Sequence, residues 1–362
     1  MRPTFPELAR QVAEGFAREY AVLFGRARDA LPAILEVLGA HGPLLIPSNI
    51  CPEVYLAFVA AGHRPTLVAV SEQTGLVDDQ AFAAAIRDFD RPGVVMPTHL
   101  YGFVQAYAET VAAARERGWF IVENDSLATG HRALGPLSPL AADAPAVVSF
   151  GAGKIIDAGV GGAVLTDDAR MAGQLLALAE RYPPADGAGT EEATRLGWIR
   201  QAKRGGAAER LECETRLLHS ASAGRFAFPA RAEAPLRRAL ENLPETIAQR
   251  REIAMRWREA LHEAGGPVGL PEMEQVAPWR LIARLATRRD QVLDRLRAAG
   301  IDAGDNYPAL ETFFPRTAAY APSSAPARAR LWQARVLNLW LTPDYTPERI
   351  RSTARLIADT AR

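Results

Sequence analysis

Short apolar runs alternate with segments of helical periodicity along the first 123 residues of the chain. The runs are rich in Val, Leu, Ile and Phe and have the length of buried strands. Predicted strands lie at 21–24, 44–47, 65–70, 93–97 and 119–123, and predicted helices at 6–20, 27–39, 52–61, 78–88 and 105–117. This alternation predicts an α/β fold, a three-layer sandwich with a mostly parallel sheet.

The pattern changes in the C-terminal third of the chain. Residues 234–264 are strongly helical and are predicted to connect a large domain, 1–235, to a smaller α+β domain, 236–362. In the smaller domain we expect strands at 279–286 and 335–341. Residues 182–206 are rich in Pro, Gly and polar side chains, so the sequence predicts loop or irregular structure there.

Polar and unusual residues concentrate directly after the predicted strands. Ligands of open parallel sheets bind beyond the carboxyl ends of the strands, so these positions form the candidate site. They are residues 25–28, 48–51, 98–102, 124–129 and 149–154.

Lys154 is the most informative of these positions, because the chain has only two lysines, Lys154 and Lys203, against forty arginines. Arginine stays protonated at any working pH, whereas a partly desolvated lysine can lose its proton and attack a carbonyl. Lys154 lies between predicted strands 147–150 and 163–166, with glycines on both sides, and these glycines fit neither a P-loop nor a dinucleotide fingerprint. A surface loop lysine is the plain alternative. The place of Lys154 between two buried strands favours instead a Schiff-base lysine that holds pyridoxal 5'-phosphate.

Such a site also needs a carboxylate at the pyridine nitrogen and a phosphate site at a helix N-terminus. Asn124 and Asp125 end a predicted strand where the ring would lie. Arg26 and Arg28 open a predicted helix, and either guanidinium could bind the phosphate. Taken singly, these residues have structural alternatives, as do Cys51, His99 and His131, and only the joint pattern favours the cofactor.

Composition excludes several classes of protein. The formal net charge is zero and the pI is about 7.0, so nothing indicates a nucleic acid or an anionic membrane as partner. Two cysteines form no disulfide framework, and no Cys/His spacing suggests a metal site. No apolar run approaches the roughly 20 residues of a membrane span, and the N-terminus lacks an apolar signal core. We therefore expect a cytoplasmic protein.

Several segments together resemble the sugar aminotransferases of the DegT/StrS type, a pyridoxal phosphate-dependent family with the aspartate aminotransferase fold. Residues 96–102, MPTHLYG, resemble the family's PVHLYG, and residues 122–130, VENDSLATG, resemble IEDAAQALG. Residues 149–168 resemble SFxxxK followed by GGxxxTxD, and 46–65 and 299–308 match more weakly. The resemblance implies a homodimeric aminotransferase that moves an amino group from glutamate or glutamine to a keto sugar, which we expect to be nucleotide-linked.

The resemblance also implies roles for single residues. Lys154 would form the Schiff base and shuttle a proton, and Ser149 and Arg28 would contact the phosphate. The family's pyridinium aspartate falls on Asn124 without a gap, but we prefer a one-residue shift to Asp125, because a carboxylate keeps the ring nitrogen protonated. Residues expected at the ring or the substrate are Cys51, His99, Tyr101, His131 and Tyr307.

Departures from the family pattern keep other functions open. The family's cross-subunit asparagine is missing near 224–226, where Arg225 could replace it in a homodimer. Asn124 and Leu127 make another pyridoxal phosphate reaction, of elimination or retro-aldol type, a credible rival. A non-catalytic binding subunit is a second rival. Retention of Lys154 argues against the family's dehydratase branch, which replaces this lysine.

Overall fold

The computed structural model describes residues 5–129, 144–184, 188–220, 225–271 and 277–362, with the backbone alone for 188–192. The helices are α1 (Glu7–Gly15), α2 (Ala27–Leu38), α3 (Pro52–Ala60), α4 (Asp79–Arg87), α5 (Ala108–Glu116), α6 (Ala169–Ala179), α7 (Ala188–Arg204), α8 (Ala207–Ser220), α9 (Glu233–Glu241), α10 (Leu243–Ala264), α11 (Arg289–Ala298), α12 (Pro326–Arg335) and α13 (Pro347–Ala361). The strands are β1 (Tyr20–Phe24), β2 (Leu44–Pro47), β3 (Pro65–Val68), β4 (Val94–Val95), β5 (Phe120–Ile121), β6 (Glu123–Asn124), β7 (Ala146–Ser149), β8 (Gly162–Thr166), β9 (Val268–Gly269), β10 (Leu281–Leu285), β11 (Ala303–Gly304), β12 (Ala319–Tyr320) and β13 (Val336–Leu339).

The large sheet has two parts, ordered β1-β8-β7-β6 and β12-β3-β2-β4-β5. They meet where Asn124 pairs with Thr98, and the Asn124 carbonyl accepts a hydrogen bond from the His99 backbone N–H. Strands β2 to β7 pair in parallel, whereas β8 runs antiparallel to both β1 and β7. Helices cover both faces of this sheet, which confirms the predicted α/β sandwich.

Each face of the large sheet carries its own apolar cluster. On one face, side chains of α2, α3 and α6 pack on Val147 and Val164, and we call this the α2 face. On the opposite face, α1, α4 and α5 pack on Val148 and Leu165. Successive residues of β7 therefore point to opposite faces, as the two-residue period of a strand requires.

The C-terminal part contains a small antiparallel sheet, ordered β11-β13-β10-β9, covered by α10, α11 and α13. The boundary at 235/236 stays a prediction. Within the C-terminal part, however, β12 pairs in parallel with β3, and Phe313, Phe314 and Trp332 pack in the clusters of the large sheet. The segment between β11 and β13 thus closes the edge of the large sheet near the candidate site.

Irregular structure was the wrong expectation for most of residues 182–206, because α7 spans 188–204. The second half of α7 buries Ile199 and Ala202 in the cluster of the α2 face. The side chain of Arg195, also on α7, forms a buried ion pair with Glu53 of α3. Helical stability of this kind comes from packing on another element, which the local composition does not reveal. Among the described residues, no helix is both long and apolar enough to cross a membrane.

Candidate active site

A glycine allows α2 to begin directly against the sheet. A Cβ atom at Gly162 would lie 2.5 Å from the backbone nitrogen of Ala27, the first residue of α2. Ser149, at the end of β7, is the register partner of Gly162, so its side chain shares this face and lies beside the first turn of α2. The N-cap residue Arg26 makes no capping hydrogen bond through its side chain. The helix N-terminus and a hydroxyl group thus form a cradle for an anion, which we call the α2 cradle.

We expect Gly162→Ala to close the α2 cradle. The added methyl group would meet the backbone of Ala27, and overpacking of this kind costs about 1–3 kcal/mol. Titration with pyridoxal phosphate, followed by absorbance, should show weaker binding, and the Tm should fall. Gly197→Ala in α7 is the matched control, since a Cβ atom there has no neighbour within 4 Å. Unchanged cofactor affinity in Gly162→Ala would contradict the cradle.

The two arginines predicted to bind phosphate are both held by carboxylates. Arg26 bonds both oxygens of Asp29 at 2.9–3.1 Å, and its guanidinium lies 4.7 Å from the ring centroid of Phe226. Desolvation raises the pKa of Asp29, although the neighbouring arginines oppose this effect. Arg28 pairs with Glu53 of α3 at 2.7 Å. Arg28 therefore remains a phosphate contact by prediction, with its orientation fixed by Glu53.

Arg195 of α7 completes the cluster around Glu53. Its Nε lies 3.1 Å from Oε1 of Glu53, and all three side chains are at most 11% exposed. We call Arg28, Glu53 and Arg195 the Glu53 cluster. Its net charge is positive, which suits a phosphate dianion at the nearby α2 cradle. No signal in the sequence marks Arg195, because it lies 142 residues from its partner.

Lys154 lies half-buried in the turn after β7. Its backbone N–H donates to the Gly151 carbonyl at 3.1 Å, and its Nζ lies 6.0 Å from the ring centroid of Trp279. The Trp279 indole donates to the Gly153 carbonyl at 2.9 Å, so this ring fixes the lysine turn from the C-terminal part of the chain. The amine of Lys154, five residues after Ser149, therefore faces the ring of Trp279.

Cys51 lies close enough to Lys154 for the charge of the lysine to act on the pKa of the thiol. Desolvation, and next the carboxylate of Glu53, raise the pKa of the Cys51 thiol, while Lys154 opposes this effect. Cys51 is thus a neutral thiol at pH 7, not a thiolate nucleophile. Cys51 directly precedes α3 and packs against the apolar cluster that contains Val148 and Leu165. Its contact with the cofactor ring remains a prediction.

Aromatic side chains form the wall opposite Lys154. Tyr307 is nearly buried and stacks parallel to Trp279, with 6.1 Å between the ring centroids. The guanidinium of Arg280 lies between two rings, 4.3 Å from the centroid of Trp279 and 3.6 Å from that of Trp340. Desolvation lowers the pKa of Arg280 to about 10, so it stays charged at pH 7. Sequence patterns gave no indication of Trp279 or Arg280.

Tyr101 belongs to the frame of the site. It is fully buried, and its hydroxyl accepts hydrogen bonds from the Tyr307 backbone N–H at 2.9 Å and the Trp332 indole at 3.3 Å. Burial raises the pKa of this phenol. Tyr101 thus positions Tyr307, and its own hydroxyl is occupied by protein groups.

His99 is also part of the frame. Its Nε2 lies 2.8 Å from Oε1 of Glu123, and both side chains are fully buried. The Gln105 backbone N–H donates to its Nδ1 at 3.4 Å. The other predicted substrate histidine, His131, lies outside the described residues.

Asn124 and Asp125 have side chains on opposite faces of the sheet. Asn124 is the register partner of Val147, which packs on the α2 face, as does Ser149 two residues later. Asp125 continues the ladder, since its N–H donates to the Val147 carbonyl at 2.8 Å, and it is fully buried. By strand alternation its side chain shares the opposite face with Glu123.

No cluster of three or more potential metal ligands occurs among the residues that the structure describes. The groups assembled at the site are instead an amine, an anion cradle, a buried amide and an aromatic wall with an embedded guanidinium. This set can bind a phosphorylated aromatic molecule and form a covalent bond to a carbonyl carbon.

Comparison with known proteins gives one family. The sequence profile of the DegT/DnrJ/EryC1/StrS aminotransferase family matches residues 2–198 and 199–357. The chain is 29% identical over 350 residues to a dTDP-3-amino-3,4,6-trideoxy-α-D-glucose transaminase of Streptomyces venezuelae, covering 93% of this chain and 83% of that relative.

Solved structures share the fold. DesV of S. venezuelae, in complex with a ketimine intermediate, superposes with a TM-score of 0.74 at 23% identity, covering 99% of this chain and 90% of DesV. The GDP-4-keto-6-deoxy-D-mannose-3-dehydratase of E. coli, with bound hydrated PLP, reaches 0.73 at 15% identity, covering 98% and 92%. Because a dehydratase shares the architecture about as closely as DesV does, the architecture alone does not identify the reaction.

Proposed function

The chain belongs to the DegT/DnrJ/EryC1/StrS aminotransferase family. From this premise we propose that it uses pyridoxal phosphate to transfer an amino group to a nucleotide-linked keto sugar. The amino donor in this proposal is glutamate or glutamine. The observation that carries the proposal is the position of Lys154, one turn beyond Ser149 of the α2 cradle and facing the aromatic wall. The acceptor class is supported by the relative named as a transaminase of a dTDP-linked sugar.

The described residues fit the proposed cofactor. The gap at Gly162, the first turn of α2 and the Ser149 hydroxyl would bind the phosphate, with Arg28 beside them. When bound, pyridoxal phosphate supplies a ring that accepts electrons from the reacting carbon. The amine of Lys154 would bond the aldehyde carbon and later carry a proton at its Nζ atom. Tyr307 and Trp279 would exclude water from this side of the site.

We propose that Arg280 binds a carboxylate of the amino donor. Lys154 Nζ and the Arg280 guanidinium lie 6.0 and 4.3 Å from the same Trp279 centroid, so at most about 10 Å separates them. An amino acid can span this distance with its amine near Lys154 and a carboxylate on the guanidinium. Guanidinium–carboxylate hydrogen bonds are among the stronger ones in proteins.

Arg280→Met should therefore raise the KM for glutamate. We expect a roughly 10- to 100-fold increase, equivalent to the ~1.5–3 kcal/mol of a hydrogen bond to a charged group. The KM for the acceptor should change much less. Arg284→Met is the matched control, because Arg284 lies on β10, which begins directly after Arg280, but bonds Gln73. Equal effects on both substrates would indicate a packing role for Arg280.

Spectroscopy of the purified protein tests the proposed function in three steps. Adding pyridoxal phosphate should produce a visible absorbance band, glutamate should convert it to that of the amine form, and a nucleotide-linked keto sugar should restore it. Absence of the first band would favour the binding-subunit alternative. A band that glutamate leaves unchanged would favour an elimination-type reaction, which the amide at Asn124 also makes credible.

A homodimer remains part of the proposal. Arg225, the residue suggested to reach the neighbouring site, bonds Tyr182 at 3.1 Å and Glu36 at 3.3 Å within its own chain. These contacts anchor the guanidinium to α2 and to the segment after α6. Its reach into a partner subunit would require both contacts to break.

A further inference from the structure

We infer that Asn124, and not Asp125, faces the pyridine nitrogen of the cofactor, and that its amide holds this nitrogen unprotonated. The inference rests on the proposed use of pyridoxal phosphate. It reverses the sequence-based preference for Asp125. It also assigns to position 124 a hydrogen-bond donor where the resemblance implies a carboxylate acceptor.

Strand register places Asn124 on the side of the cofactor. Through Ser149 and the start of α2, the α2 cradle would hold the cofactor's phosphate on the α2 face. Asn124 pairs with Val147, two residues before Ser149 on the neighbouring strand, so the amide and the hydroxyl share one face at one end of the sheet. A ring that extends from the cradle along this edge reaches Asn124 before any side chain of the opposite face.

Asp125 points away from that face. Its backbone N–H bonds Val147, which continues the two-residue alternation beyond β6. The preceding residue on the same face, Glu123, is already engaged with His99 in the interior at 2.8 Å. A rotation of Asp125 to the α2 face would break the ladder bond and turn Asn124 into the interior, so the two residues cannot both face the ring.

A local hydrogen bond fixes which end of the amide faces the ring. The Ser126 backbone N–H donates to Oδ1 of Asn124 at 3.2 Å, an arrangement in which only the amide oxygen can accept. Asn124 is only 4% exposed, and no hydrogen bond in the described part of the chain uses its Nδ2. The Nδ2 atom is not fully enclosed by protein, so its N–H can donate to an acceptor on a bound ligand.

The orientation of the amide determines the protonation of the ring. An unprotonated pyridine nitrogen accepts a hydrogen bond and pairs with Nδ2–H, whereas a protonated one is a donor and would face a donor. A carboxylate has the opposite effect, because it stabilises the protonated ring. The amide therefore weakens the ring as an electron acceptor, and position 124 sets how readily a proton leaves the donor's Cα carbon.

The ring nitrogen can be observed directly by NMR. Pyridoxal phosphate labelled with ¹⁵N at the ring nitrogen is bound to the full-length protein, and its ¹⁵N shift is compared with the free cofactor in acid and in base. We expect the wild-type signal at the unprotonated position at neutral pH, and a shift of the Asn124→Asp signal to the protonated position. Asp125→Asn should leave the wild-type signal unchanged.

Each outcome decides a separate question. A protonated wild-type signal would overturn the inference, as would an Asp125→Asn change that moves the signal while Asn124→Asp does not. The wild-type spectrum alone is decisive on protonation even where a variant fails to fold. Failure of the proposed function is recognised earlier, because then the unlabelled cofactor produces no visible band with wild-type protein.

Discussion

Lys154→Ala should lower transamination by at least about 10⁴-fold, because it removes both the nucleophile and the group that carries the proton. Its visible cofactor band should disappear as well. The steric change is small, since Lys154 lies in a turn and is half-buried, so the Tm should stay close to that of the wild type. Activity and Tm measured on the same preparation separate chemistry from folding.

Because the chain has only two lysines, chemical labelling can show directly whether Lys154 holds the cofactor. Borohydride reduction of the cofactor complex fixes the cofactor on the lysine that holds it, and only Lys154 and Lys203 are available. We expect a single label, on the peptide that contains Lys154. Lys203 is held by Asp305 at 2.8 Å and Asn306 at 2.9 Å, so its amine is engaged elsewhere. Lys203→Met should retain the label, and a label on Lys203 would contradict the assignment.

Glu53→Gln should be the most destabilising of the proposed changes. Removing this charge deprives the nearly buried Arg28 and Arg195 of the carboxylate that they share, and breaking a buried pair in this way costs about 3–5 kcal/mol. The amide keeps the shape of the side chain, so a cavity does not contribute. We expect a clear fall in the urea midpoint, measured by circular dichroism on protein without cofactor.

An exposed ion pair is the matched control for this prediction. Glu252 pairs with Arg256 on α10, with both side chains about half exposed, and Glu252→Gln should change stability by less than about 1 kcal/mol. Phosphate or pyridoxal phosphate should restore part of the stability of Glu53→Gln, since an added anion compensates the two arginines. Equal midpoints for the two variants would show that the Glu53 cluster carries little net energy.

Lys154 and Ser149 could be predicted from the sequence because their signals are local. Their five-residue spacing, and the glycines that follow, lie in one strand–turn–strand segment whose geometry depends on nearby residues. The alternation of apolar runs predicted the sheet for the same reason. By contrast, Trp279 and Arg280 reach Lys154 through a fold that joins segments 126 residues apart, and no local pattern records such a contact.

Position 124 shows most clearly what cannot be predicted from the sequence alone. The chemical need for a carboxylate favours Asp125, but a one-residue change of register moves a side chain to the other face of a sheet. That register is set by the pairing of Asn124 with Val147 and Thr98, on two neighbouring strands. Chemical plausibility could not replace that information.

The sequence by itself determined the α/β class and the family and predicted the reactive amine, because these depend on periodicity and on residues adjacent in the chain. Only the tertiary structure decided that Arg195 joins Arg28 at Glu53, that 188–204 is helical, and which face Asn124 occupies. Each of these depends on contacts between distant segments. Such contacts form when the whole core packs, so their energy is absent from any short stretch of the chain.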